Sequence, residues 1–396
     1  MTMEDRATLA RHIIDFGMTE ADVRPHPADA DTALLASAPG QARLLATQHT
    51  LAPMWPPGLA PVPEPIVPEP PTGRPLPAAD YLVVTWTVSE QQALADVLTP
   101  GVPRERWHRY DRHFADHYLP QIRSTAPSRV TRRLASYCPV RIGGRSVLCV
   151  KSELHLNQDG IRRDGEGTAT LPVRDLFAQM IAEVRPSLVI TTGTAGAVAA
   201  DQELGDVMVT RAARFRLAQE FRNEPYAHAG YRSEFEVPTA MLGAAEPMLA
   251  ATAGHLVEPD YAPPTTAYPQ YDHPLPGRHN IPDIKLDGRD FPAFHPVLTT
   301  DSFEFGTSAN HLDQEGCGVE MGDAVLGMVA EGLGGAAPRW LVVRNASDPQ
   351  INGNLPVKPD VQAMWAVFFY EQYGYWTSVD SAIATWAVIA GDHATA

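Results

Sequence analysis

Cysteine is scarce. Only Cys138, Cys149 and Cys317 occur in 396 residues, too few and too scattered for a disulfide framework or a zinc knuckle. They read as reduced, buried thiols. Positive charge is short as well: 31 Lys and Arg stand against 47 Asp and Glu, a formal charge of −16. Such a surface repels phosphate backbones, which argues against a nucleic-acid partner while leaving room for a basic pocket that takes one small anion. No stretch approaches the roughly 20 apolar residues of a membrane span. The segment from Val361 to Ala390 is apolar but broken by Glu371, Gln372, Gly374 and Asp380, so it reads as a packed helix. The opening MTMEDRATLARHIIDFG lacks a continuous apolar run of signal-peptide type, and the expected location is the cytoplasm. There is no internal repeat.

Apolar residues make up 44% of the chain and charged residues 20%, enough for a sizeable core and too little charge for wholesale disorder. Residues 1–50 read as a helical extension. Pro53 to Pro77 then holds 11 of the 37 prolines. Proline fixes φ and lacks an amide donor, so residues 51–79 form a linker, or an arm laid across the body or a partner subunit. The globular body is expected over 80–396, with insertions near 104–136, 152–170 and 256–296. Tyr81 to Val88, Ser187 to Thr192 and Trp340 to Arg344 are short apolar runs that read as buried strands. Between them, Val173, Leu176, Phe177, Met180, Ile181 and Val184 recur at helical spacing. Strands alternating with amphipathic helices predict an α/β three-layer sandwich, its central mixed, mostly parallel sheet flanked by helices. Ligands bind such sheets where strands end and loops begin.

The strongest local signal is Thr191 to Val198 (TTGTAGAV), leaving a buried strand and followed by Leu204 to Phe215 (LGDVMVTRAARF). Gly193 and Gly196 let the backbone turn sharply and approach a ligand, although a plain strand-to-loop turn would look the same. Further segments follow in order: Tyr81 to Leu94, Thr299 to Glu304 (TTDSFE), Val319 to Ala324 (VEMGDA) and Arg344 to Asp348 (RNASD).

Together these segments resemble the nucleoside phosphorylase superfamily, most closely its methylthioadenosine/adenosylhomocysteine nucleosidase branch, over roughly residues 80–390. The resemblance implies a nucleoside phosphorylase-like fold and an enzyme that breaks an N-glycosidic bond. It implies Glu90 as the group that activates water and Asp348, beside Ser347, as the acid that protonates the leaving base. It puts Thr192, Gly193, Thr194, Glu320, Met321 and Asp323 in substrate binding, with Phe303 stacking on the base. The residue types suit the reaction, because cleavage builds positive charge on the sugar and negative charge on the base. An aromatic ring holds a flat base at small entropic cost. Taken singly, Glu90 also fits the first-turn acid of a helix, Asp348 a turn, and Phe303 core filling. Met321, Val325, Met328 and Val329 are read as one helical face, with Met321 at the helix start.

Two departures from the family pattern matter. Where its phosphorylases carry a phosphate-clamping arginine, this chain has Thr191, which favours water as nucleophile. Where the family has a diol-binding glutamate, this chain has Gly322, leaving Glu320, Asp323 or a sugar without that diol as alternatives. The leading expectation is hydrolysis of a purine nucleoside or nucleoside-like substrate. Phosphorolysis, a nucleotide N-glycosidase using Arg162 and Arg163, and a ligand-binding or regulatory module on this scaffold are the alternatives. No cofactor and no metal are implied. Trp107 to Tyr118 (WHRYDRHFADHY) places His113 and His117 four apart near His108, Asp111 and Asp116, yet without HExxH order it reads as a solvated face. By resemblance a homo-oligomer, a dimer foremost, is expected.

Overall fold

The computed structural model describes residues 3–18, 53–161, 169–257, 259, 262–264, 270–276, 281–287, 295–358 and 360–394. Arg162 and Arg163 lie outside the described residues, as does much of 256–296.

The strands in chain order are β1 (Val62–Pro63), β2 (Tyr81–Thr85), β3 (His108–Tyr110), β4 (Ala135–Ile142), β5 (Arg145–Ser152), β6 (Leu188–Gly196) and β7 (Val207–Thr210). Then come β8 (Ala212–Phe215), β9 (Gly230–Arg232), β10 (Ile284–Leu286), β11 (Val297–Thr299), β12 (Gly318–Glu320) and β13 (Arg339–Asp348). The helices that matter for the site are α1 (Met3–Asp15), α2 (Val88–Leu98), α3 (Pro172–Val184), α4 (Leu242–Thr252), α5 (Asp323–Leu333) and α6 (Val361–Ala394).

All thirteen strands belong to one sheet, with the path β1-β4-β5-β2-β6-β12-β11-β8-β9 and a branch in which β13 pairs β6 and β7. The centre, β5-β2-β6-β13, is parallel throughout. Antiparallel partners gather outside it, so the pairings divide into six parallel and six antiparallel. The sheet is therefore mixed, with its parallel character concentrated in the strands that carry the motifs.

The pleat sorts side chains onto two faces. Tyr81, Val83, Leu188, Ile190, Leu341 and Val343 pack in one core with α2 and α6. Their neighbours Leu82, Val84, Val189, Trp340 and Val342 pack in a second core with α3 and α5. Three layers result, helix on sheet on helix. The helix read at Val173 to Val184 is observed as α3, ended by Arg185 in the left-handed region at φ 52°. The proline-rich stretch lies across the chain's own body: Trp55 stacks tilted on Trp386 at 4.7 Å, Trp386 Nε1 donates to the Leu59 carbonyl at 2.7 Å, and β1 extends the sheet beside β4. Among the described residues, no helix is long and apolar enough to cross a membrane. All three cysteines are buried and free.

Three local readings change. The TTGTAG run does not leave the sheet: β6 continues to Gly196, because β13 pairs with it residue by residue from Leu188 to Gly196. Likewise Asp348 is the last residue of β13 rather than a residue beyond it, just after a register shift between Ala346 and Asp348. Met321 precedes the helix; α5 starts at Asp323, because Gly322 supplies the non-helical cap conformation with φ −158°.

Candidate active site

The C-terminal ends of β2, β6, β12 and β13 converge on a cavity, lined on another side by Ile13 and Ile14 of α1 and Tyr370 of α6. Glu90, Thr194, Phe303, Glu320, Met321, Ser347 and Asp348, all singled out by sequence, line it.

Glu90 is held by the turn from β2 into α2. Thr87 caps α2 and Glu90, at the third helical position, closes a capping box with it. The helix-start role and the site role thus belong to the same side chain. One Glu90 oxygen accepts from Thr85 Oγ1 at 2.8 Å, Trp86 N at 2.9 Å and Thr87 N at 2.8 Å. The other accepts from Thr194 N at 2.8 Å and Thr194 Oγ1 at 2.9 Å, with Arg344 Nη1 at 3.4 Å. Burial pushes this carboxyl upward, but Arg344 and the amides of Thr194, Thr87 and Trp86 win and hold it below the usual range. It is an anion.

Asp348 is its opposite. It is 6% exposed, and its main polar contact is Ser347 Oγ, which donates to Oδ1 at 2.9 Å. Oδ2 has no partner. Burial, opposed only by that hydroxyl, pushes its pKa up to about 7.

The two motif glycines explain themselves here. Gly193 has φ +148°, a conformation that side chains rarely adopt, and a Cβ there would collide with the Glu90 carboxylate and stand 2.8 Å from Arg344 Nη1. A Cβ on Gly196 would stand 3.1 Å from Asp348 Oδ2. The strand therefore passes bare beneath both carboxyls. Three residues of extended chain separate these glycines by about 10 Å.

Arg344 was quoted in RNASD but given no task by sequence. It is 3% exposed and binds Asp323 through Nε at 2.8 Å and Nη2 at 2.7 Å, with Glu320 at 3.5 Å and its charge 4.9 Å from the Trp86 ring. Burial works against this cation, but Asp323, Glu320 and Glu90 outweigh it and raise its pKa. Glu320 is pushed upward by burial and then by Asp323. A charged residue ending an apolar strand run was the available signal, since a buried guanidinium must be paired.

Three proposed substrate contacts do not line the cavity, and the first of them, Gly193, lies against the Glu90 carboxylate. Thr192 faces α6, its hydroxyl accepting from Thr385 Oγ1 at 3.0 Å; it shares the pleat face of Leu188 and Ile190, which turns it away from the cavity. Asp323 is fully buried behind Arg344 rather than on the cavity wall. Thr191 is also fully buried and does not line the cavity. Sequence reasoning gave no task to the lining residues Trp86 and Glu304, although both lie in quoted segments, nor to His155 in an expected insertion and Tyr370 in the apolar helix.

Phe303 packs at 5.6 Å from Phe305 and is 7% exposed, so it is both core and cavity wall. Of the histidine-rich segment, His113 meets Asp116 at 3.5 Å and His117 meets Asp175 at 3.3 Å, both on the surface. No group of three or more His, Cys, Asp or Glu arranged to hold a metal is found among the described residues.

Comparison with known proteins gives a structural likeness without a sequence one. No protein-family model matches the chain, and no curated protein matches it. Among solved structures it is similar to the 5′-methylthioadenosine/S-adenosylhomocysteine nucleosidase of Neisseria meningitidis in complex with methylthio-immucillin-A, at 13% identity and a TM-score of 0.42, covering 78% of this chain and 99% of that one. The S-adenosylhomocysteine nucleosidase of Streptococcus pyogenes gives 14% identity and a TM-score of 0.41, over 80% and 98% of the two chains. The futalosine hydrolase of Helicobacter pylori gives 10% and 0.41, over 78% and 98%. The likeness is one of chain path. Nothing about the roles of Glu90 and Asp348 is carried over from it.

Proposed function

We propose that this chain hydrolyses the N-glycosidic bond of a purine nucleoside or nucleoside-like compound. One observation carries the reading: two buried carboxyls line one cavity, and their surroundings drive them apart, Glu90 below the ordinary carboxylate range and Asp348 up to about 7. Opposed carboxyls of this kind are what acid–base cleavage of a glycosidic bond requires.

In the proposed reaction Asp348 gives its proton, carried on the unpartnered Oδ2, to a nitrogen of the departing base. The C–N bond breaks with its electron pair going to the base. Water forms the new bond to the sugar carbon and loses a proton to Glu90. The Thr194 hydroxyl is the donor on Glu90 that a water can replace, because it rotates while the backbone amides cannot and it lines the cavity while the Thr85 hydroxyl does not. Phe303 offers a face for the base.

Water rather than phosphate is supported by the charges. The cavity's arginine, Arg344, is bound on all sides by Asp323, Glu320, Glu90 and the Thr194 carbonyl, so it has no fork to offer an anion. The homo-oligomer expected from the resemblance is part of the same proposal.

The test is base release, followed by chromatography, from purine nucleosides with and without phosphate. Phosphate-independent release that vanishes in Glu90→Gln and Asp348→Asn supports the reading. Release only with phosphate, or undiminished release in both variants, overturns it.

A further inference from the structure

The wall of the cavity beside Arg344 is set by a tryptophan packed on a glycine. A Cβ on Gly322 would stand 2.9 Å from Trp86 Cζ2 and 3.0 Å from Cε2, so the indole takes the space any side chain at 322 would need. Trp86 is 5% exposed, and its Nε1, a donor only, has no partner. His155 lines the same cavity at 6% exposed, and neither ring nitrogen makes a hydrogen bond; Asp159 stands 3.7 Å from Nδ1.

Around them, every buried carboxylate is already committed except Asp348, whose open Oδ2 the proposed reaction gives to the base. Glu90 accepts from five donors besides Arg344. Glu320 accepts from Thr299 Oγ1 and from the amides of Gly322 and Asp323. Both oxygens of Asp323 are held by Arg344. Glu304, also on the wall, is partly exposed and paired with Arg216 at 3.0 Å.

A vicinal diol brings two O–H protons, and in a buried site each needs an acceptor. Beside Trp86 the free groups are one indole N–H, which accepts nothing, and one imidazole, which when neutral accepts one proton. That inventory matches one hydroxyl, received by His155 and given a hydrogen bond by Trp86, with a methylene against the indole face. Resting on the hydrolase reading above, we propose that Trp86 and His155 form the sugar subsite, and that it selects a deoxypentosyl group over a ribosyl one.

The experiment compares adenosine, 2′-deoxyadenosine and 3′-deoxyadenosine, by initial rates of base release and, with the same three compounds, by calorimetric binding to the full chain. One of the deoxy compounds should exceed adenosine in kcat/KM by roughly tenfold or more, the discrimination expected when a hydroxyl is buried without an acceptor. Trp86→Phe keeps the ring over Gly322 and removes the N–H, so it should raise KM for the preferred deoxy compound. Adenosine turned over as well as, or better than, both deoxy compounds overturns the sugar assignment and leaves hydrolysis standing. Release from none of the three counts against the hydrolase reading, and the binding arm then decides the subsite: a deoxy preference supports it, and equal or weaker deoxy binding overturns it.

Discussion

Asp348 should be a residue whose ionisation harms the fold and whose proton runs the reaction. Moving a carboxyl from its ordinary 3.8 to about 7 by burial corresponds to about 4 kcal/mol of extra cost for the ionised form. The direction of the linkage is definite. The folded group binds its proton more tightly than the unfolded one, so its contribution to stability is intact below pH 3.8 and is eroded as pH rises toward 7. Above pH 7 the full cost is present. Asp348→Asn removes the charge while keeping the shape, and should therefore raise Tm at pH 8 and leave it little changed at pH 4. Activity should move the other way. A general acid contributes about 10²- to 10⁴-fold, so the variant should lose at least that much kcat. In the unaltered protein kcat/KM should fall above pH 7 by about tenfold per pH unit. Glu90, held below the ordinary range, sets the acid limb below pH 4.5. Ser347→Ala adds a control: the Ser347 hydroxyl is what favours the ionised form, so its loss should shift the alkaline limb upward. Base release from pH 4 to 10 and thermal melts at both pH values are the assays. A variant less stable at pH 8 than its parent, or an alkaline limb that ignores Ser347→Ala, would refute the reasoning.

Arg344→Met leaves Glu90, Glu320 and Asp323 buried without their shared cation, and urea titration at pH 7 should show a loss of about 3–5 kcal/mol. Arg344→Lys should recover little of it, since one ammonium cannot reproduce the fork on Asp323. Gly193→Ala drives a methyl into the Glu90 carboxylate at φ +148°, so it should abolish base release and lower Tm, whereas Gly332→Ala on open helix surface should do neither. On α1, His12 is bound to Glu371 of α6, whose hydrogen bond raises its pKa above 6.5 against the opposing effect of burial. That clamp is whole below pH 6.5 and weakens as pH rises through the raised value, so protease cleavage after α1 should accelerate with pH, and Glu371→Gln should remove the dependence.

Much of this protein is legible in one dimension because it follows from periodicity and residue type. Apolar runs of strand length alternating with the amphipathic α3 dictate a layered α/β body, since each face must be buried. Glycines at 193 and 196, Glu90 at a helix start and Asp348 shortly after an apolar run mark where backbone and carboxyls come together; Glu90, Gly196 and Asp348 line the cavity, and Gly193 lies against Glu90. The face on which a side chain lands was not legible in the same way. Thr192 and Thr194 would share a face in a regular strand, and only the tertiary structure, with Gly193 at φ +148° between them and α6 packed on β6, decides that one meets the helix and the other meets Glu90. Nor does sequence separation reveal that Arg344 neutralises a carboxylate 254 residues earlier, or that the indole of Trp86 fills the space beside Gly322. Charge balance and free space in the cavity are sums over groups from distant elements. Composition limits what those sums can contain, and only the tertiary structure determines which groups enter them.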